Sequence, residues 1–395
     1  MQYTTLAAQV VPPTNPFFFD VGSLYEYLES LTDRRHARGL RYPLPVALVL
    51  VILAKLAGEQ EPRGIAQWVA LRQTLLYAAL RFERDTVPHP TTYSRILGNA
   101  LDVAELQQAC TSFLLQAAAA TPAVEINLDG KTLRGTIAAG QTQGLHLLAA
   151  YLPDAGIVLM QMEVGSKENE IVAAPRLLKS VDLQGKIVTG DAIFTQRKLS
   201  EQIVAAGGEY VWTVKDNQPG LRADIEALFA IEEGQTALKP MANDFQEAVS
   251  LDKAHGRLEQ RRLTSSAMLA GEVAWPHLEQ VFKIEREIEQ LSTGKRHSEV
   301  SYGITSLNRQ EADAERLQGV KRKHWEIENG LHYRRDWTLR EDYCRLKTGD
   351  AAQAMAILNN LVVGLVRQAG FQYLPDGRRN YSAQPLEGLK LILRR

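Results

Sequence analysis

Two aspartates stand at the ends of short apolar runs: Asp129 after Ile126-Asn127-Leu128, and Asp191 after Ile187-Val188-Thr189-Gly190. In an α/β sheet, functional side chains converge at the carboxyl ends of strands. Two carboxylates placed there can share hard cations such as Mg²⁺, which prefer oxygen ligands. Asp also starts turns and caps helices, so either residue alone fits a purely local role. A third carboxylate, Glu328, lies in the run Lys321 to Arg335. At about 3.6 residues per turn, Lys321, His324, Glu328, His332 and Arg335 share one side of a helix, beside an apolar stripe of Val320, Ile327 and Leu331. Glu326 points the other way. A carboxylate flanked by cations can bind metal while its neighbours reach phosphates. A solvated face with Lys–Glu pairs reads equally from the same pattern.

These residues need elements to hold them. From Ser23 to Ala120 apolar residues recur at three- and four-residue spacing, which predicts an all-α domain over 23–120 after an N-terminal extension, 1–22. Within it, Thr91 is expected to cap a short helix carrying Tyr93 and Arg95. The pattern then changes to strands at Val124–Leu128, Leu145–Tyr151 and Ile157–Val164, followed by alternating helices and strands up to Val214. That order predicts a mixed α/β sheet over 121–219. Four alternating segments between Phe245 and Ile304 predict a mostly β insertion, 220–307. Helix returns over 308–370 and carries Glu328, and the tail, 371–395, reads as loop.

Composition bounds the rest. The chain has 395 residues, 45% hydrophobic and 23% charged, with a formal net charge of −1, so any DNA contact must come from local basic patches. Two distant cysteines, Cys110 and Cys344, show no disulfide or metal spacing and suit a reducing cytoplasm. The N-terminus lacks a basic region followed by an apolar one, so no secretory leader is expected. The apolar run Pro45–Ala54 is too short for a membrane span and reads as a buried helix. No nucleophile elbow, phosphate loop or zinc motif is present.

Six segments then occur in order: Leu128-Asp129-Gly130-Lys131, Lys167-Glu168-Asn169-Glu170-Ile171, Gly190-Asp191-Ala192, Lys215-Asp216-Asn217-Gln218-Pro219, His255-Gly256-Arg257-Leu258-Glu259 and His324-Trp325-Glu326-Ile327-Glu328-Asn329-Gly330-Leu331-His332. Together they resemble the insertion-sequence DDE transposases of the H-repeat-associated group. The resemblance implies a ribonuclease-H-like catalytic core, with a β-rich insertion between the second Asp and the Glu, and an acidic triad on Asp129, Asp191 and Glu328. In related transposases the Glu helix carries Tyr-x-x-Arg-x-x-x-Glu-x-x-x-x-x-x-Lys. Here Lys321 replaces the aromatic and His324 the arginine, while Glu328 and Arg335 keep the chemistry. Glu341 and Asp342 match a further family segment and compete as the third ligand.

The expected function is transposition of an insertion sequence. The protein would bind double-stranded DNA as a homodimer, with two Mg²⁺ ions, replaceable by Mn²⁺, serving hydrolysis and strand transfer. A bacterial cytoplasmic, nucleoid-associated protein is expected. Lys131, Arg134 and Lys215 follow the sheet strands closely enough to reach phosphate, and Lys321, His324 and Arg335 would steer the flanking backbone. His255, Arg257, Arg261 and Arg262 would bind transposon ends, with His255, Arg257 and Arg261 on one face of a strand. Arg34, Arg35, Arg38 and Arg41 form the densest basic patch, and Tyr93 and Arg95 would face a groove. Trp68, Trp212 and Trp337 read as core. A stand-alone nuclease of the same core, or an inactive DNA-binding remnant of a decayed element, are the rival readings.

Overall fold

The helical half begins with α1 (Leu24–Glu29) and α2 (Leu44–Leu56), then α3 (Pro62–Ala70), α4 (Gln73–Ala79), α5 (Pro90–Arg95) and α6 (Val103–Ala118). The computed structural model describes residues 19–36, 40–118, 124–165, 168–232, 244–254, 256–347 and 349–394. α2 is apolar all round, so it can only be stable inside the bundle. All but one of its residues are buried. α5 starts at Pro90, and His89 rather than Thr91 is its cap, its side chain accepting from Thr91 N.

The sheet strands are β1 (Glu125–Leu133), β2 (Leu145–Leu152), β3 (Ile157–Val164), β4 (Ile187–Gly190) and β5 (Glu209–Val214), with α7 (Glu170–Lys179) and α8 (Arg197–Ala205) between them. After α9 (Pro219–Glu232) come β6 (Gln246–Ala254), β7 (Arg257–Ser266), β8 (Gln280–Gln290) and β9 (Arg296–Thr305). The order is β3-β2-β1-β4-β5-β9-β8-β7-β6. β1, β2 and β3 are antiparallel, and β1, β4 and β5 run parallel. This is the ribonuclease-H-like arrangement. The β-rich stretch does not stand apart from it, because β9 pairs antiparallel with β5 and continues the same sheet.

Alternation along β1 assigns its two faces. Ile126 and Leu128 join a core with α7, α8 and α9. The opposite face is covered by α10 (Ala314–His324) and the irregular segment after it, through Leu317 and Val320 and then Ile327 and Leu331. The expected continuous helix past Arg335 breaks at Trp325 and resumes as wide helical turns over Ile327–His332 and Arg334–Thr338.

The tail is a second correction. It forms α12 (Leu374–Ala383) and α13 (Pro385–Leu393), after α11 (Ala351–Gln368). Leu374, Tyr381, Leu389 and Ile392 are buried in the same core as α2 and α6. The helical half is therefore closed by the C-terminus, and α11 joins it to β3.

Lys55 sits on α2 in this core, fully buried, donating to Gln60 Oε1 at 2.9 Å. Burial pushes its ammonium down to about 8. Below that pH the fold holds a costly buried charge. Between about 8 and the ordinary value of 10.5 the folded state has released a proton that the unfolded chain still binds, so this contribution makes stability rise with pH. Lys55→Met is expected to be more stable than wild type by about 3 kcal/mol below pH 8. The advantage should vanish by about pH 10.5, read from urea unfolding across pH.

Candidate functional site

Asp129 lies midway along β1, which runs on to Leu133 rather than ending at the aspartate as the sequence suggested; its side chain is on the α10 face, and Oδ1 accepts from Gly130 N at 2.9 Å. Asp191 follows β4 directly and is exposed. Because Leu128 is in register with Gly190 on the neighbouring parallel strand, Asp129 stands where that pairing ends and Asp191 begins the chain beyond β4.

Glu328 comes from the wide turns laid across this part of β1. Its side chain is 55% exposed, and Oε2 lies 4.0 Å from Nδ1 of His332, which is 3.3 Å from Asp129 Oδ2. One donor atom from each of Asp129, Glu328 and His332 falls within 4.8 Å of the others. Asp191 lies outside that compact set. Glu328 has its carboxyl held above the ordinary range by burial and by the Asp129 carboxylate facing it. Two like charges gathered at one point are a donor set that a divalent cation relieves, so the residues present fit a metal. His332 shared the helical stripe read from the sequence but was not singled out there. Its signal was the four-residue spacing from Glu328.

Lys321, His324 and Arg335 of that stripe turn into the fold. Lys321 Nζ donates to Thr213 Oγ1 at 2.7 Å, and burial pushes the amine down to about 8. His324 is buried with Nδ1 3.0 Å from Thr189 Oγ1. Burial first, and Lys321 second, push its imidazole down to about 3, so it is neutral at physiological pH. Arg335 is wholly buried, bonding Glu341 Oε2 and Gln161 Oε1. Glu341 is also buried and accepts from Asn359 at 2.7 Å, so both of its oxygens are engaged inside the fold. Asp342 faces Lys131 and Arg134, each at 3.9 Å.

Other expected DNA contacts divide the same way. Lys131 is buried against Asp336 and Asp342, whereas Arg134, Lys215 and Arg95 are exposed. Tyr93 is fully buried and cannot face a groove. Arg34 pairs with Asp102, and Arg35 with Asp33. Arg38 and His255 lie outside the described residues, as does Lys167. The strand face of Arg257 and Arg261 is not purely basic, because Glu259 sits between them and binds Arg286 as well. Arg262 pairs with Glu247.

Trp68 and Trp212 are core residues as expected, but Trp337 is 74% exposed. It stacks on Tyr333 with centroids 6.4 Å apart and planes 9° apart, and Trp325 is also exposed. Large exposed aromatics thus flank Glu328 on both sides in sequence. Sequence reasoning missed this surface because the wide turns redirect Trp337.

Burying Arg335 makes it a stability residue with a clear test. Arg335→Met strands the Glu341 carboxylate and is expected to cost about 3–5 kcal/mol in denaturant unfolding at neutral pH. The double variant with Glu341→Met should recover most of that loss. A phosphate-contacting arginine would instead leave stability unchanged and reduce DNA affinity.

Comparison with known proteins follows this geometry. Residues 25–114 match the family model described as DDE_Tnp_1-associated, and residues 122–365 match the one described as Transposase DDE domain. From Escherichia coli strain K12, "Putative protein YbfL" is 27% identical over 356 residues, covering 88% of this chain and 91% of that protein. "H repeat-associated putative transposase YhhI" of the same strain is 26% identical over 356 residues, with the same coverage. "H repeat-associated putative transposase YbfD", again from that strain, is 27% identical over 244 residues, 61% of this chain and 93% of that protein. With that family model matching more than half of its length, the chain belongs to the Transposase DDE domain family.

Proposed function

We propose that this transposase binds the terminal inverted repeats of its insertion sequence, hydrolyses one phosphodiester at each end, and transfers the freed 3′-OH to target DNA. Asp129, Asp191 and Glu328 would hold two Mg²⁺ ions, with Mn²⁺ able to replace them. The observation that carries this reading is the gathering of Asp129 and Glu328 on one face of β1, where its pairing with β4 stops and Asp191 follows.

When bound, the divalent cations supply charge stabilisation to the phosphodiester under attack. The chain's own residues do the rest. Asp129 and Asp191 are fixed by adjacent strands, and Glu328 is laid over them by the segment anchored on α10. Arg134 and Lys215 are exposed near the strand ends and would take phosphates, which fixes register without reading sequence. His324, held neutral, does not compete as a cation. Joining two ends in one event takes two active sites, so a homodimer on DNA follows from the chemistry.

The exposed Tyr333–Trp337 stack supports a nucleic-acid partner, since every nucleobase offers a π-face to such a surface. Trp337→Ala is expected to weaken binding to an end duplex with unpaired terminal bases by about 5- to 150-fold, corresponding to ~1–3 kcal/mol per stacked base. Fully paired DNA should lose much less. Equal loss on both substrates, measured by fluorescence anisotropy, would count against stacking.

The reaction itself is tested on a labelled duplex carrying the inverted repeats that flank the gene. Metal-dependent nicking at the repeat end, lost in Asp129→Ala, Asp191→Ala and Glu328→Ala while binding persists, is the expected outcome. Binding without cleavage by wild type would favour the inactive remnant. Cleavage without joining would favour a stand-alone nuclease.

A further inference from the structure

We infer that His332 ligates the same cation as Asp129 and Glu328, and that this nitrogen donor tilts the centre toward Mn²⁺ over Mg²⁺. The inference rests on the metal reading proposed above and adds to it a ligand and an ion preference.

The side chain of His332 is only 6% exposed, and its Nδ1 points into the carboxylate pair, 3.3 Å from Asp129 Oδ2 and 4.0 Å from Glu328 Oε2. Donors that share one ion at about 2.0–2.2 Å stand roughly 3–4.3 Å apart, so these separations suit a common ligand shell without moving an element. The other ring nitrogen, Nε2, is buried and has no hydrogen-bond partner among the described residues. The wide turns over Ile327–His332 place Glu328 and the imidazole four residues later over the same stretch of β1, at Asp129.

The donor set carries a selectivity. Mg²⁺ dehydrates reluctantly and prefers oxygen ligands, whereas first-row transition ions accept imidazole readily. A site of two carboxylates alone would favour Mg²⁺ as well as Mn²⁺. Adding one imidazole raises affinity for Mn²⁺ selectively.

Pulsed EPR on the full-length protein loaded with Mn²⁺ alone tests this directly. Wild type is expected to show nitrogen hyperfine coupling to the bound ion, and Asp129→Asn should abolish the site. His332→Asn should still bind Mn²⁺, lose the nitrogen coupling, and narrow the Mn²⁺-over-Mg²⁺ affinity ratio by roughly tenfold in calorimetric titrations. His332→Ala serves as the second variant, and thermal melting in EDTA shows that both fold like wild type. An Asp129-dependent Mn²⁺ site without nitrogen coupling would overturn the assignment of His332 and leave the metal reading standing. Coupling that persists in His332→Asn and His332→Ala would assign the nitrogen elsewhere and also overturn it. No Asp129-dependent Mn²⁺ site at all would overturn both.

Discussion

The placement of Glu328 depends on how α10 ends. A helix terminus leaves carbonyl groups without intrahelical partners, and these must be satisfied when the end is buried. Asn127, on the same face of β1 as Asp129, does this by donating through Nδ2 to the carbonyls of Lys323, at 2.7 Å, and His324, at 3.2 Å. Its Oδ1 accepts from Thr189 on β4, whose Oγ1 lies 3.0 Å from His324 Nδ1. The network is buried, so breaking any member strands polar groups at about 1–3 kcal/mol each. A single amide two residues before Asp129 therefore ties β1, β4 and the end of α10 together. The next turn of chain emerges over β1 beside Asp129.

A second buried network holds the far side of the same segment. Arg335 reaches Glu341 and Gln161, and Asn359 and Asn360 on α11 bind Glu341 and Gln161 in turn. Burial alone would raise the Glu341 carboxyl, yet Arg335 and Asn359 bring it below the ordinary range, which marks it as an ionised partner. The segment carrying Glu328 is thus clamped at both ends, to the sheet through His324 and to α11 through Glu341. Between the clamps it is wound as wide turns, with Tyr333 and Trp337 turned outward. Fixed ends with an irregular middle allow one carboxylate to be placed precisely while the neighbouring side chains face solvent.

The mixed α/β sheet and both aspartates were legible because an apolar run followed by Asp is a local feature, although β1 continues past Asp129 to Leu133. The common side of Lys321, His324, Glu328, His332 and Arg335 was legible from helical spacing, although the helix breaks at Trp325 and resumes as wide turns. Which way that side faces was not, because Asn127, Thr213 and Glu341 are remote in sequence and supply the partners that turn these cations inward. The same blindness hid Lys131 against Asp336. Helices α12 and α13 escaped for another reason. They are short, and their apolar residues gain burial largely against α1 and α2, more than 300 residues earlier, so intrinsic pattern says little about them.

What remains exposed then constrains how DNA is met. Of the cations first assigned to DNA, Lys131, Lys321, His324 and Arg335 are occupied inside the fold, and Arg34, Arg35, Arg257 and Arg262 face carboxylates. A chain of net charge −1 with its basic residues so engaged cannot rely on a broad positive field. Among the described residues, the exposed groups include Lys215, Arg134, which also faces Asp342, and the aromatic surface of Tyr333 and Trp337. On the proposed reading, phosphate contacts would be sparse and base stacking would carry a larger share of binding. Affinity for DNA ends would then depend less steeply on salt than in proteins that neutralise many phosphates, because fewer counterions are released on binding.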